Sequence, residues 1–202
     1  RYLNIKKEDP KWEDRDRFIL SKGHAGIAYA PVLCDFGYND PEQLKTFNLT
    51  NSKMGIHLDS NKVAGVDAST GSLGHGIPIA AGTAIAARVL GKDYYTYVVT
   101  GDGELDEGSN WEGLMTIRHY NLTNCITIVD RNHCMIDGNT EDVMKLEPLA
   151  DKFVAFGFHT IVCEGNNIVS LCKAIDEAHK TKDKPTVIVA DTIKGVGIKL
   201  TS

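Results

Sequence analysis

Apolar residues along the 202-residue chain fall into two alternating rhythms. Tyr94-Tyr95-Thr96-Tyr97-Val98-Val99-Thr100 and Cys125-Ile126-Thr127-Ile128-Val129-Asp130 are β-branched and aromatic runs that predict strands. Phe158 to Cys163 and Pro185 to Ala190 read the same way. Helical stretches lie between and before them. Ile77 to Leu90 is small and apolar enough to be buried on most sides, and about Asp106 to His119 and Asn167 to Lys180 follow as further helices. Upstream, Ser21 precedes Lys22-Gly23-His24-Ala25-Gly26 and an apolar segment to Leu33, which predicts a helix ending near Gly37. Asp40-Pro41-Glu42 predicts a short helix to about Phe47, with Asp as cap and Pro at the first position. Lys11 to Arg17 is charged and loop-like, and Asn48 to Thr70 has no sustained periodicity, the pattern of a long functional loop.

Strands alternating with helices form βαβ units, so the expected fold is α/β, a parallel twisted sheet with helices on both faces. Ligands of such sheets bind beyond the carboxyl ends of the strands. The residues just after Thr100 and Val129 therefore matter most. Gly101-Asp102-Gly103 ends one strand and Asp130-Arg131-Asn132 ends the next. If those strands are neighbours, Asp102 and Asn132 meet at one sheet edge. A carboxylate, an amide oxygen and nearby carbonyls make a hard oxygen set suited to Mg²⁺ or Ca²⁺. Gly103 lets backbone N–H groups approach a phosphate, and the following helix offers its positive end.

Composition narrows the alternatives. A hydrophobic fraction of 42% in 202 residues supports one core and a single domain over residues 1–202. A net charge of −5, with acids and bases interspersed, disfavours a nucleic-acid surface. Five cysteines, an odd number without a CxxC pair, suggest neither a disulfide framework nor a zinc site. No apolar stretch approaches the roughly 20 residues of a membrane span, so no membrane partner is expected. No signal peptide opens the chain, which makes a reducing cytoplasm the expected compartment and the sequons at Asn48 and Asn121 accidental. Arg1 and Ser202 look like neither a natural start nor a finished tail, so residues are expected to be missing on both sides.

Four segments, in order, carry a family likeness: Asp14 to Ala25 (DRDRFILSKGHA), Ser69 to Gly76 (STGSLGHG), Gly101 to Gly108 (GDGELDEG) and Asp130-Arg131-Asn132. Over nearly its whole length the chain resembles the N-terminal, diphosphate-binding region of transketolases, and most closely the short subunits of two-chain transketolases. The resemblance implies thiamine diphosphate and Mg²⁺ (or Ca²⁺) as cofactors, with Asp102, Asn132 and the carbonyl of Cys134 as metal ligands. It implies that Gly103 N–H and His24 bind the diphosphate and that the backbone at Gly71 and Leu73 contacts the aminopyrimidine. Ser72, Gly101 and Glu104 belong to the same expected cofactor-binding set. Glu107 would join a carboxylate network at a subunit interface, and His57 matches a histidine that touches the donor sugar; these two are the catalytic candidates. The implied reaction moves a two-carbon ketol unit from a ketose to an aldose, as in pentose phosphate metabolism, with sugar phosphates as substrates.

No stretch matches the family's pyrimidine domain. The resemblance therefore implies a companion C-terminal subunit in an α₂β₂ heterotetramer. Departures from the family pattern are His75 where Gln is commoner, His133 where a small residue is frequent, and Val196 in Lys194-Gly195-Val196-Gly197. The rival readings are another thiamine diphosphate enzyme, such as an E1-type dehydrogenase subunit or a related ketol transferase, and a non-catalytic cofactor-binding module.

Overall fold

The computed structural model describes residues 1–198. Its strands, numbered in chain order, are β1 (Arg17–Leu20), β2 (Thr96–Gly101), β3 (Cys125–Arg131), β4 (Cys134–Met135), β5 (Gly138–Asn139), β6 (His159–Glu164) and β7 (Thr186–Asp191). Five of them form one sheet in the order β1-β2-β3-β7-β6, every neighbouring pair parallel. The remaining two, β4 and β5, make a small antiparallel hairpin beyond the end of β3.

The period-two alternation of strand side chains sorts the core onto two faces. Val98 of β2, Cys125 and Val129 of β3 and Val187 and Val189 of β7 pack with helices α2 (Gly76–Val89), α3 (Gly108–His119) and α5 (Leu149–Ala155). Their neighbours Tyr97, Ile126 and Ile188 point the other way, onto Ala174 and Ala178 of α6 (Ile168–Lys180). Helix α2 buries five alanines and glycines along its length together with Ile77, which lets it lie close against both the sheet and α3. The expectation of helices on both faces is met.

Most elements fall where the pattern puts them, and the differences have identifiable causes. Strand β1 was not expected: Arg17 belongs to it, not to a loop. Four residues are too few to show a period, and the strand exists because β2 offers it a partner, Arg17 opposite Thr96. Asp16 and Asp67 pin it from either side, Asp16 accepting the N–H groups of Asn4 and Tyr95 at 2.7 Å each, and Asp67 that of Phe18 at 2.8 Å. The segment after Ser21 is a 3₁₀ turn over Gly23–Ala25 before helix α1 (Gly26–Asp35) begins. Likewise the helix expected from Asp106 starts only at Gly108, after a 3₁₀ turn at Gly103–Asp106 and an extended Glu107. Asp40 caps as expected, accepting from Glu42 N–H at 2.9 Å, but the element it opens, Pro41–Thr46, is 3₁₀. Helices α4 (Thr140–Val143) and α5 had no expectation attached. Residues 48–70 are irregular as anticipated, yet Met54, Leu58 and Val63 bury against α1 in a second small core. All five cysteines are free thiols, and among the described residues no helix is long and apolar enough to cross a membrane.

One packing detail predicts a pH effect. His179 on α6 meets the Tyr97 hydroxyl at 2.6 Å and the ring of Tyr95 at 4.8 Å. Partial burial, and then the Lys182 ammonium, push its pKa below the ordinary value, against smaller opposing pulls from Asp16 and Asp176. A depressed histidine favours the neutral form in the fold, so its contribution is present above about pH 6.5 and is lost as pH falls through the folded pKa. Urea unfolding midpoints should therefore drop as pH is lowered below that value. The substitution His179→Gln should make that drop shallower, and an unchanged slope would show that His179 does not drive it.

Candidate cofactor and metal site

Because the five strands run parallel, their carboxyl ends share one edge of the sheet. Gly101 stands opposite Asp130 in the β2–β3 register, and the Asp102 N–H donates to the Asp130 carbonyl at 3.2 Å. Asp102 and Asn132 therefore sit side by side just past the two strand tips, as the sequence spacing required.

Asp102 is 1% exposed. Its Oδ1 accepts the Gly103 N–H at 2.8 Å, while Oδ2 accepts Arg131 Nη1 at 2.9 Å and the His133 N–H at 2.6 Å. Asn132 Oδ1 accepts the Cys134 N–H at 3.0 Å, which folds the chain back so that β4 lies over Gly103. A Cβ at Gly103 would meet the Met135 Cβ at 2.8 Å and the Cys134 carbonyl oxygen at 3.7 Å, so only glycine leaves this cradle open. His133 takes a left-handed φ of 61°, a conformation that glycine adopts without strain. Its ring meets Asp191, at the tip of β7, at 2.8 Å.

The donor set fits a hard divalent ion holding a diphosphate. Among the described residues no group of three or more His, Cys, Asp or Glu could hold a metal. One carboxylate oxygen, one amide oxygen and one carbonyl remain, and Mg²⁺ ordinarily binds phosphorylated ligands through one or two carboxylates plus phosphate oxygens. The open lone pair of Oδ1 and the glycine cradle beside it match that pattern.

The other expected residues distribute around this edge. His24, exposed, follows the tip of β1; its pKa is lowered by partial desolvation and then by the Lys22 ammonium, with smaller effects of the same sign from His57 and Lys194. It lies inside the 3₁₀ turn, with Lys22 at the N-cap of that turn and Ala25 at the N-cap of α1. His57 packs on Gly71, where an added Cβ would touch its Cδ2 at 3.4 Å. Ser72 and His75 are exposed, and Leu73 is half-buried. Gly74, with φ of 87°, turns the chain against α3: a Cβ there would strike Ser109 Oγ at 2.5 Å and Glu107 Cβ at 2.6 Å. Glu107 itself is exposed at the start of α3. Of the Lys194–Gly197 segment, Lys194, Val196 and Gly197 are exposed.

Glu104 faces inward. Its Oε1 accepts from Ser21 Oγ and from Gly74 N–H at 2.9 Å, and its Oε2 from Thr100 Oγ1 at 2.8 Å and Gly101 N–H at 3.1 Å. Expected among cofactor contacts, this carboxylate is instead taken up by protein donors. It braces the β1 exit, the Gly71–Gly76 loop and the tip of β2 together. Two further residues of this edge, Lys22 and Arg131, were not singled out by the sequence pattern; the Lys22 ammonium pairs with Asp130, and Arg131 with Asp102. Burial, the largest single effect, works to raise the Asp130 pKa, but Lys22 together with the hydrogen bonds from Thr192 and Asn132 makes the net shift downward. The charges at positions 130 and 131 were visible beside Asn132, but their partners are not local. Lys22 is 108 residues from Asp130, and Asp102 is 29 from Arg131. Two cavities of about 460 and 480 Å³ flank this edge, and neither is lined by Asp102 or Asn132.

The family model described as the transketolase, thiamine diphosphate binding domain, matches residues 1–202. The chain belongs to the transketolase family. It is 42% identical over 200 residues to an apulose-4-phosphate transketolase subunit from Actinobacillus succinogenes, spanning 98% of this chain and 72% of that protein. It is 39% identical over 197 residues to the 6-deoxy-6-sulfo-D-fructose transketolase subunit SqwG of a Clostridium species, covering 98% and 72%. Among solved structures, the Campylobacter jejuni transketolase superimposes with a TM-score of 0.92 at 30% identity, over 99% of this chain. The Leishmania mexicana transketolase does so with a TM-score of 0.90 at 38% identity, over 94%. The chain spans 33% and 30% of those two longer enzymes. As a transketolase domain it takes thiamine diphosphate with a divalent metal, and the family is one of transferases.

Proposed function

We propose that this chain is the N-terminal subunit of a two-chain transketolase. It would work with a companion subunit carrying the pyrimidine domain, in an α₂β₂ assembly in the cytoplasm. The reading rests on one observation: the tips of β2 and β3 join so that Asp102 and Asn132 flank the Gly103 cradle at the carboxyl edge of the sheet. In this reading Asp102 Oδ1, Asn132 Oδ1 and the Cys134 carbonyl hold Mg²⁺ (or Ca²⁺). Gly103 N–H and His24 hold the diphosphate, and Gly71, Ser72 and Leu73 border the aminopyrimidine. Gly101 shapes the strand tip, and Glu104 acts as a brace. Thiamine diphosphate supplies the carbon nucleophile of ketol transfer; the protein supplies binding, orientation and electrostatics.

Exposed His57 lies on Gly71, so it stands beside the expected pyrimidine loop and is assigned to the donor sugar. Glu107 is exposed beside Gly74 and is assigned to the interface with the companion chain. The relatives named for apulose-4-phosphate and for 6-deoxy-6-sulfo-D-fructose suggest an anionic sugar as substrate. A place in pentose phosphate metabolism accords with that class.

The test is a coupled ketol-transfer assay on this chain, the companion chain and their mixture, with Mg²⁺, thiamine diphosphate and a ketose phosphate donor. Turnover should require both chains. Full turnover by this chain alone would overturn the two-chain assignment.

A further inference from the structure

Arg131 ends β3 with its side chain 3% exposed, and its guanidinium is held from two directions. On one side Nη1 donates to Asp102 Oδ2 at 2.9 Å and to Thr140 Oγ1 at 2.6 Å. On the other, Nε and Nη2 donate to Glu147 Oε1 at 3.1 and 2.9 Å, and Nη2 to Glu141 Oε1 at 2.9 Å. Both glutamates are themselves anchored, Glu141 Oε1 by Leu146 N–H at 3.1 Å and Glu147 Oε2 by Leu149 N–H at 2.8 Å. The fork is planar and rigid, so its contact with Asp102 is fixed together with those to Thr140, Glu141 and Glu147.

We propose that Arg131 is a positioning residue that makes Asp102 a one-oxygen metal ligand and thereby biases the site toward Mg²⁺ over Ca²⁺. The inference rests on the assignment of Asp102 to the metal. Oδ2 already accepts two donors, the guanidinium and the His133 N–H, whereas Oδ1 accepts only the Gly103 N–H, so Oδ1 is the oxygen with a lone pair left to face an ion. Mg²⁺ demands near-octahedral geometry and is satisfied by single oxygens, whereas Ca²⁺ takes six to eight ligands and readily uses a carboxylate through both oxygens. Removing the clamp frees one lone pair of Oδ2, the other staying with the His133 N–H, which gives Ca²⁺ a ligand that Mg²⁺ has little use for. Residues that orient metal ligands from behind typically change metal affinity by about 10- to 100-fold when replaced.

The experiment is calorimetric titration of Mg²⁺ and, separately, Ca²⁺ into the assembled two-chain enzyme at saturating thiamine diphosphate. It compares wild type with Arg131→Met, Arg131→Lys and Glu147→Gln. In Arg131→Met the ratio of Mg²⁺ to Ca²⁺ affinity should shift toward Ca²⁺ by about tenfold. Arg131→Lys and Glu147→Gln, which leave a charge or most of the clamp in place, should shift it less and in the same direction. An unchanged ratio overturns the proposal, whether both affinities hold or both fall together, because general damage weakens the two ions alike. Wild type that binds neither ion in a cofactor-dependent way overturns the metal-site assignment itself, a distinct result.

Discussion

Asp102→Asn is expected to weaken metal-dependent binding of thiamine diphosphate by at least about a hundredfold, equivalent to about 2.7 kcal/mol. The side chain keeps its shape but loses the carboxylate whose free lone pair faces the Gly103 cradle. Asp102→Ala should go further and also lower stability. It removes the partner of Arg131, a residue 2% exposed, and breaking a buried pair from one side costs about 3–5 kcal/mol. Glu141 and Glu147 still hold the other face of that guanidinium, which places the loss toward the lower figure. Thermal shift with Mg²⁺ plus thiamine diphosphate separates the two effects. Wild type, with its companion chain, should be stabilised by the pair of ligands together. Neither variant should respond, and Asp102→Ala should also start from a lower midpoint. A variant that responds like wild type would remove Asp102 from the metal site.

Glu104→Ala should be the most destabilising single change in the cofactor edge, by about 3–5 kcal/mol, because it strands several buried donors at once. Ser21 Oγ, Gly74 N–H, Thr100 Oγ1 and Gly101 N–H all lose their acceptor, and the glutamate is 3% exposed. Water is a poor substitute in a space packed this tightly, where Gly76 lies against Ser21 too closely to admit a Cβ. Glu104→Gln retains one acceptor oxygen but points amide hydrogens at donors, so a loss of about 1–3 kcal/mol is expected. Urea unfolding of the two variants gives the ordering. The brace also ties the Gly71–Gly76 loop to the tip of β2, so cofactor affinity should fall in the same order. Equal stability of Glu104→Ala and wild type would mean that this network contributes nothing net.

These two residues differ in how legible they are from the chain alone. Asp102 announces itself: a Gly-Asp-Gly after a β-branched run, with an asparagine at the end of the next run, is a local pattern whose meaning follows from strand adjacency. Glu104 lies two residues further on, in the same motif, and its neighbours gave no hint that it turns inward. Its four partners come from the β1 exit, the loop before α2 and the tip of β2, and only the fold brings them to one point. The same holds for Lys22 with Asp130 and for Arg131 with Asp102, Glu141 and Glu147. Charge in a sequence is visible; the counter-charge is not.

Periodicity alone established an α/β chain with a parallel sheet, the extents of α2 and α6 and four of the five sheet strands to within a residue or two, and the edge where ligands would bind. These follow from local physics, since β-branched runs, apolar helical stripes and glycine at turns are satisfied by near neighbours in the chain. Tertiary structure alone decided that Arg17–Leu20 is a strand, because a four-residue segment becomes one only when β2 supplies its hydrogen bonds. It alone placed β7 between β3 and β6, out of chain order. And it alone decided which oxygen of Asp102 carries two donors and which only one, because that choice belongs to a guanidinium and a backbone N–H that arrive from β3 and the turn after it.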